Sequence, residues 1–446
     1  NALTIDLDDD DTNTAATISA TNYTKNLSIT AAASDLDDNA STITGGTGTD
    51  TITVTSAGTD DTLIVTGITN VEKIAFVDDG DATADTMTIT TADALIADGA
   101  TMEFDASNLS TDDFIIDASA ETNGKLVVKG GAGVTTITAT ASDNGDDLSG
   151  GGGADTFTFT HAGFTAADTV SGGAGTDSII LSDASTATAT VVDADFTLVT
   201  SVETVSHGNN ALTITLGEKA KDAGVTTLTG GSGANKTTVG AGYTSNLSVT
   251  GAGTDTLDAT SYTGVLTYSS DIDALTSADT ITAGSGTSDE LEITLDTTGD
   301  TALAAADLIN VTKFEKLTLG SNAVTGVTLH ENNVADGVTM TVTATALTSK
   351  ALTFSAAAET DGAVDITAGG TGDHQITLGN GNDKYTSTSA AGEDVTATGG
   401  NNTISTGDGA DIIIGGTGDD NITGGTGADT FKFATANLNS SDTIVG

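Results

Sequence analysis

Apolar and small polar residues alternate along most of this chain. In MTITTADA (87–94) Met and Ile fall on one side and Thr on the other, and β-branched residues at period two predict short, half-buried strands. Glycine-rich turns punctuate the alternation at close intervals, so the pattern predicts an all-β chain of many short strands. Three stretches break it: Ala92 to Ala97, Glu218 to Asp222 and Glu331 to Ala335 read as single helical turns or loops on the β scaffold.

The most regular stretch spans 406–433. It reads GDGADIII, GGTGDDNIT and GGTGADTFKF, three tandem copies of a nine-residue glycine-aspartate unit. In each unit the glycines let the backbone take positive φ through a tight turn. An Asp follows at the turn's exit, and an apolar residue two positions later (Ile413, Ile422, Phe431) is expected to face inward. Turn plus short strand, repeated every nine residues, is half a coil of a parallel β-roll. The register extends back to GNGNDKYT (379–386), with Asp383 and Tyr385 in the same roles, and to ATGGNNTIS (397–405), with Asn402 and Ile404. Isolated copies upstream keep the acid as Asp50, Asp155, Asp177 and Asp255. Two others keep the glycines and lose it, with Thr135 and Asn235 in its place, and read as turns without metal.

Coils stack at about 4.8 Å, so an Asp fixed in every coil stands in a like-charged column. Such a column repels itself unless a hard cation lies between its members, and Ca²⁺ accepts carboxylate and carbonyl oxygens in flexible geometry. The unit resembles the calcium-binding RTX repeats of proteins exported by bacterial type I secretion, whose consensus is GGxGxDxUx with U apolar. That resemblance implies an all-β, elongated parallel β-solenoid (β-helix) ending in an RTX β-roll, with Ca²⁺ as cofactor. It further implies ions that bridge Asp-bearing turns of neighbouring coils, two nonapeptides apart. Asp411 then pairs with Asp429 on one edge and Asp420 with Asn402 on the other. A one-residue insertion near 390–392 puts Asp383 on the Asn402 edge, and His374 and Glu393 on the Asp411 edge. The expected metal residues are Asp50, Asp155, Asp177, Asp255, Asp383, Asn402, Asp411, Asp420 and Asp429, the sites weakening where Asn402 or His374 replaces a carboxylate.

Composition narrows the reading. Only 37% of the 446 residues are hydrophobic and 4% aromatic, with no Trp, which excludes a large aromatic core. The absence of Pro suits a ladder in which nearly every backbone N–H donates to a neighbouring coil. A formal net charge of −51 excludes ordinary nucleic-acid binding, and without cations it predicts an expanded chain. With no Cys there are neither disulfides nor thiolate metal sites. No apolar run is long enough for a transmembrane helix.

Beneath the nonapeptides lies a longer, weaker repeat. Strands ending in Glu recur at TGITNVEKIAF (66–76), TLVTSVETVS (197–206) and LINVTKFEKLTL (308–319). Their acids, Glu72, Glu203 and Glu315, pair with a neighbour such as Lys73 or Lys316 or serve as extra cation ligands. The expected division is a partial repeat over 1–44, solenoid repeats over 45–171, 172–283 and 284–368, and the RTX β-roll over 369–446. NALTIDL (1–7) matches NALTITL (210–216), so the chain is expected to begin partway through a repeat of a longer protein. None of the four His lies in a paired metal spacing, and neither a G-x-S-x-G elbow nor a P-loop lysine occurs, so no enzyme activity is expected. The body resembles RTX-containing bacterial S-layer proteins. That resemblance implies an extracellular, cell-surface structural protein that self-assembles into a layer or filament, with itself and cell-surface polysaccharide as partners. A stalk or binding region of an RTX adhesin, or a non-catalytic RTX tail of a secreted enzyme, is the alternative.

Overall fold

The computed structural model describes residues 2–7, 17–36, 41–56, 60–78, 80, 83–141, 144–182, 189–294, 301–320 and 324–446. Asn1, which heads the NALTIDL match, and parts of the 1–44 partial repeat lie outside them. The chain is all-β and forms two compact units, Asn1–Leu228 and Thr229–Gly446, each wound as a parallel β-solenoid. The division lies inside the repeat that the sequence spans from 172 to 283.

In the first unit period-two alternation becomes stacking. The inward residue of each strand lies over the inward residue of the previous coil, giving the column Ile29, Ile52, Ile74, Phe104, Val128, Leu148, Val170, Val199. A second sheet stacks Leu63, Ile89, Ile116, Ile137, Phe157, Ile179 and Val205, all inaccessible to solvent. Thr is the commonest residue at the outward positions, where its branched side chain suits the pleat and its hydroxyl meets water. The only α-helix among the described residues, Glu218–Ala223, buries Ala220 and Ala223 and ends at Gly224 with φ 102°. The stretches at Ala92 to Ala97 and Glu331 to Ala335 are turns.

The second unit has one long column, Val249, Tyr268, Leu291, Leu317, Val342, Ile366, Tyr385, Ile404, Ile422, Ile444. A facing column runs through Val327, Phe354, Ile376, Val395, Ile413 and Phe431. Ile413 and Ile422 are fully buried as expected, whereas Phe431 is only half-buried. Coil length is irregular in the first unit, where Ile52 pairs with Ile74 but Ile74 pairs with the more distant Phe104. Late in the second unit it settles: Lys384 pairs with Thr403 in a coil one residue longer than two nonapeptides, and Thr403 pairs with Asn421 in a coil that matches them. That coil holds two nonapeptides and nothing else, and the next lengthens again, with Asn421 pairing with Thr443.

Because these columns are one side chain thick, a cavity in one coil has little chance to collapse. Phe104→Ala should cost about 3–5 kcal/mol in chemical denaturation, and a change below about 1 kcal/mol would contradict the stacked core.

Candidate metal centre

Each nonapeptide Asp lies where the chain leaves the glycine turn and enters a strand. Except in Asp255, whose Oδ1 accepts the Asn235 side-chain amide at 3.0 Å, its Oδ1 accepts the backbone N–H of a residue one coil earlier. Leu27 donates to Asp50 at 2.8 Å, Thr135 to Asp155 at 2.7 Å and Val364 to Asp383 at 2.8 Å. The donor in the next step is the acid's own amide, so the contacts form ladders. Asp155 N–H donates to Asp177 at 2.8 Å, Glu393 N–H to Asp411 at 2.8 Å and Asp411 N–H to Asp429 at 3.2 Å. On the other edge Asp383 N–H donates to Asn402 and Asn402 N–H to Asp420, both at 3.0 Å. The strand register puts His374 beside Glu393, Asp411 and Asp429 in one column. The edges are therefore those read from the spacing.

Oδ1 is satisfied by this arrangement; Oδ2 in general is not. In Asp155, Asp177, Asp383, Asp411 and Asp420 the second oxygen is buried without a hydrogen bond, and these residues are at most 2% exposed. An unsatisfied buried oxygen costs about 1–3 kcal/mol, more when charged. Burial pushes the Asp155 and Asp383 carboxyls up to about 6 and the Glu393 carboxyl up to about 8, and it raises Asp177 and Asp420. The glycine at the head of the turn leaves room for the carboxylate. A Cβ on Gly150 would lie 2.1 Å from Asp155 Oδ2, and one on Gly172 2.3 Å from Asp177 Oδ2.

This donor set fits a hard cation, which would supply positive charge to stacked carboxylates that lack it. Among the described residues no three His, Asp or Glu side chains converge on one point, so carbonyl oxygens of the glycine turns would complete each site. Asp155, Asp177, Asp383, Asp411 and Asp420 are the residues that would hold it, with the half-buried Asp429 at the end of its column. Asp50 and Asp255 stand apart. Asp50 Oδ2 accepts Gly46 N–H at 2.5 Å, and Asp255 Oδ2 accepts the Tyr268 hydroxyl at 3.2 Å.

Where the acid is missing, its replacement donates to the glycine turns. Thr135 Oγ1 donates to the Gly150 carbonyl at 2.8 Å and Asn235 Nδ2 to the Gly231 carbonyl at 2.8 Å. Asn402 Nδ2 reaches Gly399 and Gly400 at 3.0 and 3.2 Å. His374, fully buried, accepts Leu352 N–H on Nδ1 at 2.9 Å.

Two kinds of residue end the ladders; reading the sequence singled out the first without its role as an amide acceptor and missed the second. Glu72, Glu203 and Glu315 accept the amides of Asp50, Asp177 and Asp289 at 2.7, 2.8 and 2.9 Å. The expected pairing of Glu72 with Lys73 does not form, since Lys73 binds Glu103 and Asp105. Each Glu follows a residue forced into the left-handed region, Asn70, Ser201 or Lys313 at φ 57°, 53° and 66°, two positions before it. That conformation, costly for a residue with a Cβ, turns the Glu back beneath the previous coil. The second kind is an Asp that closes its own turn. Asp168, Asp279 and Asp442 accept N–H from Asp146, Asp255 and Asp420 on Oδ1, and from Thr165, Thr276 and Asn439, three residues back, on Oδ2. A Thr or Asn three positions before an Asp-Thr pair was the available signal.

Residues 163–183 and 396–431 match the family model described as RTX calcium-binding nonapeptide repeat, in four copies. The first segment contains Asp177, and the second contains Asn402, Asp411, Asp420 and Asp429. No curated protein and no solved structure matches the chain. The chain thus carries calcium-binding nonapeptide repeats on an all-β parallel solenoid.

The two kinds of Asp should respond differently to loss of charge. In chelator, Asp177→Asn relieves repulsion and should raise the unfolding midpoint, while the gain on adding calcium shrinks. Asp168→Asn turns an amide donor toward Thr165 N–H and should cost about 1–3 kcal/mol with or without calcium. Matching behaviour of the two variants would remove the distinction. The raised carboxyls also fix the sign of the pH dependence. Their folded values lie above the unfolded ones, so without calcium the stability they contribute is full below about pH 4 and is lost as pH rises through about 6 to 8. Calcium, which needs the ionised form, should reverse that slope in denaturation measured from about pH 5 to 8.

Proposed function

We propose that this chain is a secreted, calcium-stabilised structural protein of the cell surface that self-assembles into a layer or filament and catalyses nothing. The observation that carries the reading is the set of five buried Asp oxygens without partners, stacked on β coils that carry RTX calcium-binding repeats. A fold of this kind acquires its counter-charge from outside the chain, so its folding is tied to a calcium-rich surrounding. Calcium that neutralises the interior also screens the outer surface of a chain whose 63 acids face 12 bases. Copies that repel one another in chelator are then free to associate through their Thr-faced sheets. RTX repeats are typical of secreted proteins, and among the described residues no helix is long and apolar enough to cross a membrane.

Circular dichroism and light scattering during a calcium titration from the chelated state test this. A coil-to-β transition followed by growth in particle size is expected. Folding without growth would favour an adhesin stalk or a non-catalytic RTX tail, and β structure indifferent to chelation would remove the calcium role. Asp411→Ala and Asp429→Ala should weaken the same site, so the double variant should lose little more calcium affinity than either single one. Fully additive losses would mean separate ions.

A further inference from the structure

At the corners of many coils a turn closes with an N–H to C=O bond three residues back, and the residue that donates it is buried. That residue is Leu109, Tyr243, Tyr262 or Leu347, in turns that begin at Ala106, Gly240, Ala259 and Ala344. All four are at most 1% exposed. In two further turns of the same kind the inward residue is a glutamate. Glu121 N–H donates to Ala118 and Glu359 N–H to Ala356, at 3.0 and 2.9 Å, in the matching segments AETNG and AETDG. They are 0% and 1% exposed, and neither oxygen of either carboxyl has a hydrogen bond. The amides of Ile96 and Val334, each in the coil before, lie near without hydrogen-bond geometry. An acid fully buried at a position built for Leu or Tyr is expensive unless something neutralises it.

The two corners differ in their neighbours. Glu121 has Asp93 as its charged neighbour. Glu359 has three, Glu331, Asp361 and Asp383, all acidic. Glu359 also lies directly under the first turn of the C-terminal nonapeptide run. A Cβ on Gly379 would come within 3.2 Å of Glu359 Cβ and 2.7 Å of its carbonyl oxygen, and the Gly379 amide lies beside the Asp383 carboxyl. Asp383 is the first acid of its column, and its Oδ2 is buried without a partner. The coil beneath it holds no nonapeptide Asp. Val364, which donates to Asp383 Oδ1, occupies that place.

We propose that Glu359 supplies the carboxylate which that coil lacks, forming with Asp383 a further calcium site outside the nonapeptide repeats. The buried Glu359 carboxyl and the partnerless Oδ2 of Asp383 flank one glycine there, with carbonyl oxygens of the Ala356–Glu359 turn beside them. A divalent cation neutralises both at once, which a Lys could not do. This site rests on the calcium reading given above, and it makes the array begin one coil earlier than the repeats do. Glu121 has no such partner, because both oxygens of the next coil's Asp146 already accept hydrogen bonds, from Leu126 N–H and from Thr140.

Equilibrium dialysis against calcium tests the assignment on the full chain. Glu359→Leu places in this turn the residue that fills the like turns at 109 and 347, and Glu359→Gln keeps the shape of the side chain. With β content checked by circular dichroism at saturating calcium, either folded variant should bind one ion fewer than the parent. Glu121→Leu should bind the parent's number. Unchanged stoichiometry in Glu359→Leu or Glu359→Gln would overturn the proposal while leaving the calcium reading intact. A parent chain that binds no calcium would instead remove both. A loss of the same size in Glu121→Leu would also overturn it, by showing that a change in any such turn perturbs the array.

Discussion

Asp155, Asp177, Asp383, Asp411 and Asp420 each perform two tasks with two oxygens. Oδ1 accepts a backbone N–H from the coil before, which holds the corner where the strand ladder gives way to a turn. Oδ2 is left facing the interior. Since coils stack at about 4.8 Å, the hydrogen bond that fixes one coil to the next also fixes one negative charge above another. The structural contact and the electrostatic problem are the same geometry, and neither can be kept without the other.

The rest of the architecture follows from managing that problem. Columns begin on a neutral donor or an apolar residue, as at Thr135, Asn235 and Val364. Several end on an acid that is turned away or fully hydrogen-bonded, as at Glu203, Asp279 and Asp442, and the Asp411 column ends on the half-buried Asp429. Coil length decides how many corners must carry an acid. In the longer coils a Tyr or Leu fills one corner. When the coil falls to two nonapeptides both corners are nonapeptide turns, so Asp411 and Asp420 stand on opposite edges of one winding. The missing Pro and the glycines that touch carboxylates are consequences at the level of composition.

Much of this was legible in the sequence. Period-two alternation gave the strands, and the nine-residue spacing gave the register, including the displaced edge occupied by His374 and Glu393. What stayed hidden depends on which residue lies one coil below. Glu72, Glu203 and Glu315 accept amides 22, 26 and 26 residues earlier, and no fixed period links residues at such offsets. For Glu72 the lysine next in sequence was the nearest visible partner, and it was the wrong one. Glu121 and Glu359 were hidden for another reason. AETNG and AETDG have the composition of solvated turns, and only the stacking shows that their glutamates occupy corners held elsewhere by Leu and Tyr.

Bounding each column has a consequence for cooperativity. In an unbroken stack of ionised Asp every added coil would meet the repulsion of all those below it, screened only by the protein's modest dielectric. Asn402 interrupts one edge with an amide that donates both to its own turn and to Asp420 Oδ1, at 3.1 Å for the latter. The neighbouring acids, Asp383 and Asp420, are thereby separated by a neutral group that still passes the backbone contact from coil to coil. The ladder stays continuous while the charge does not. A replacement that looks like the loss of a ligand therefore divides the array into segments, each of which a separate ion can neutralise.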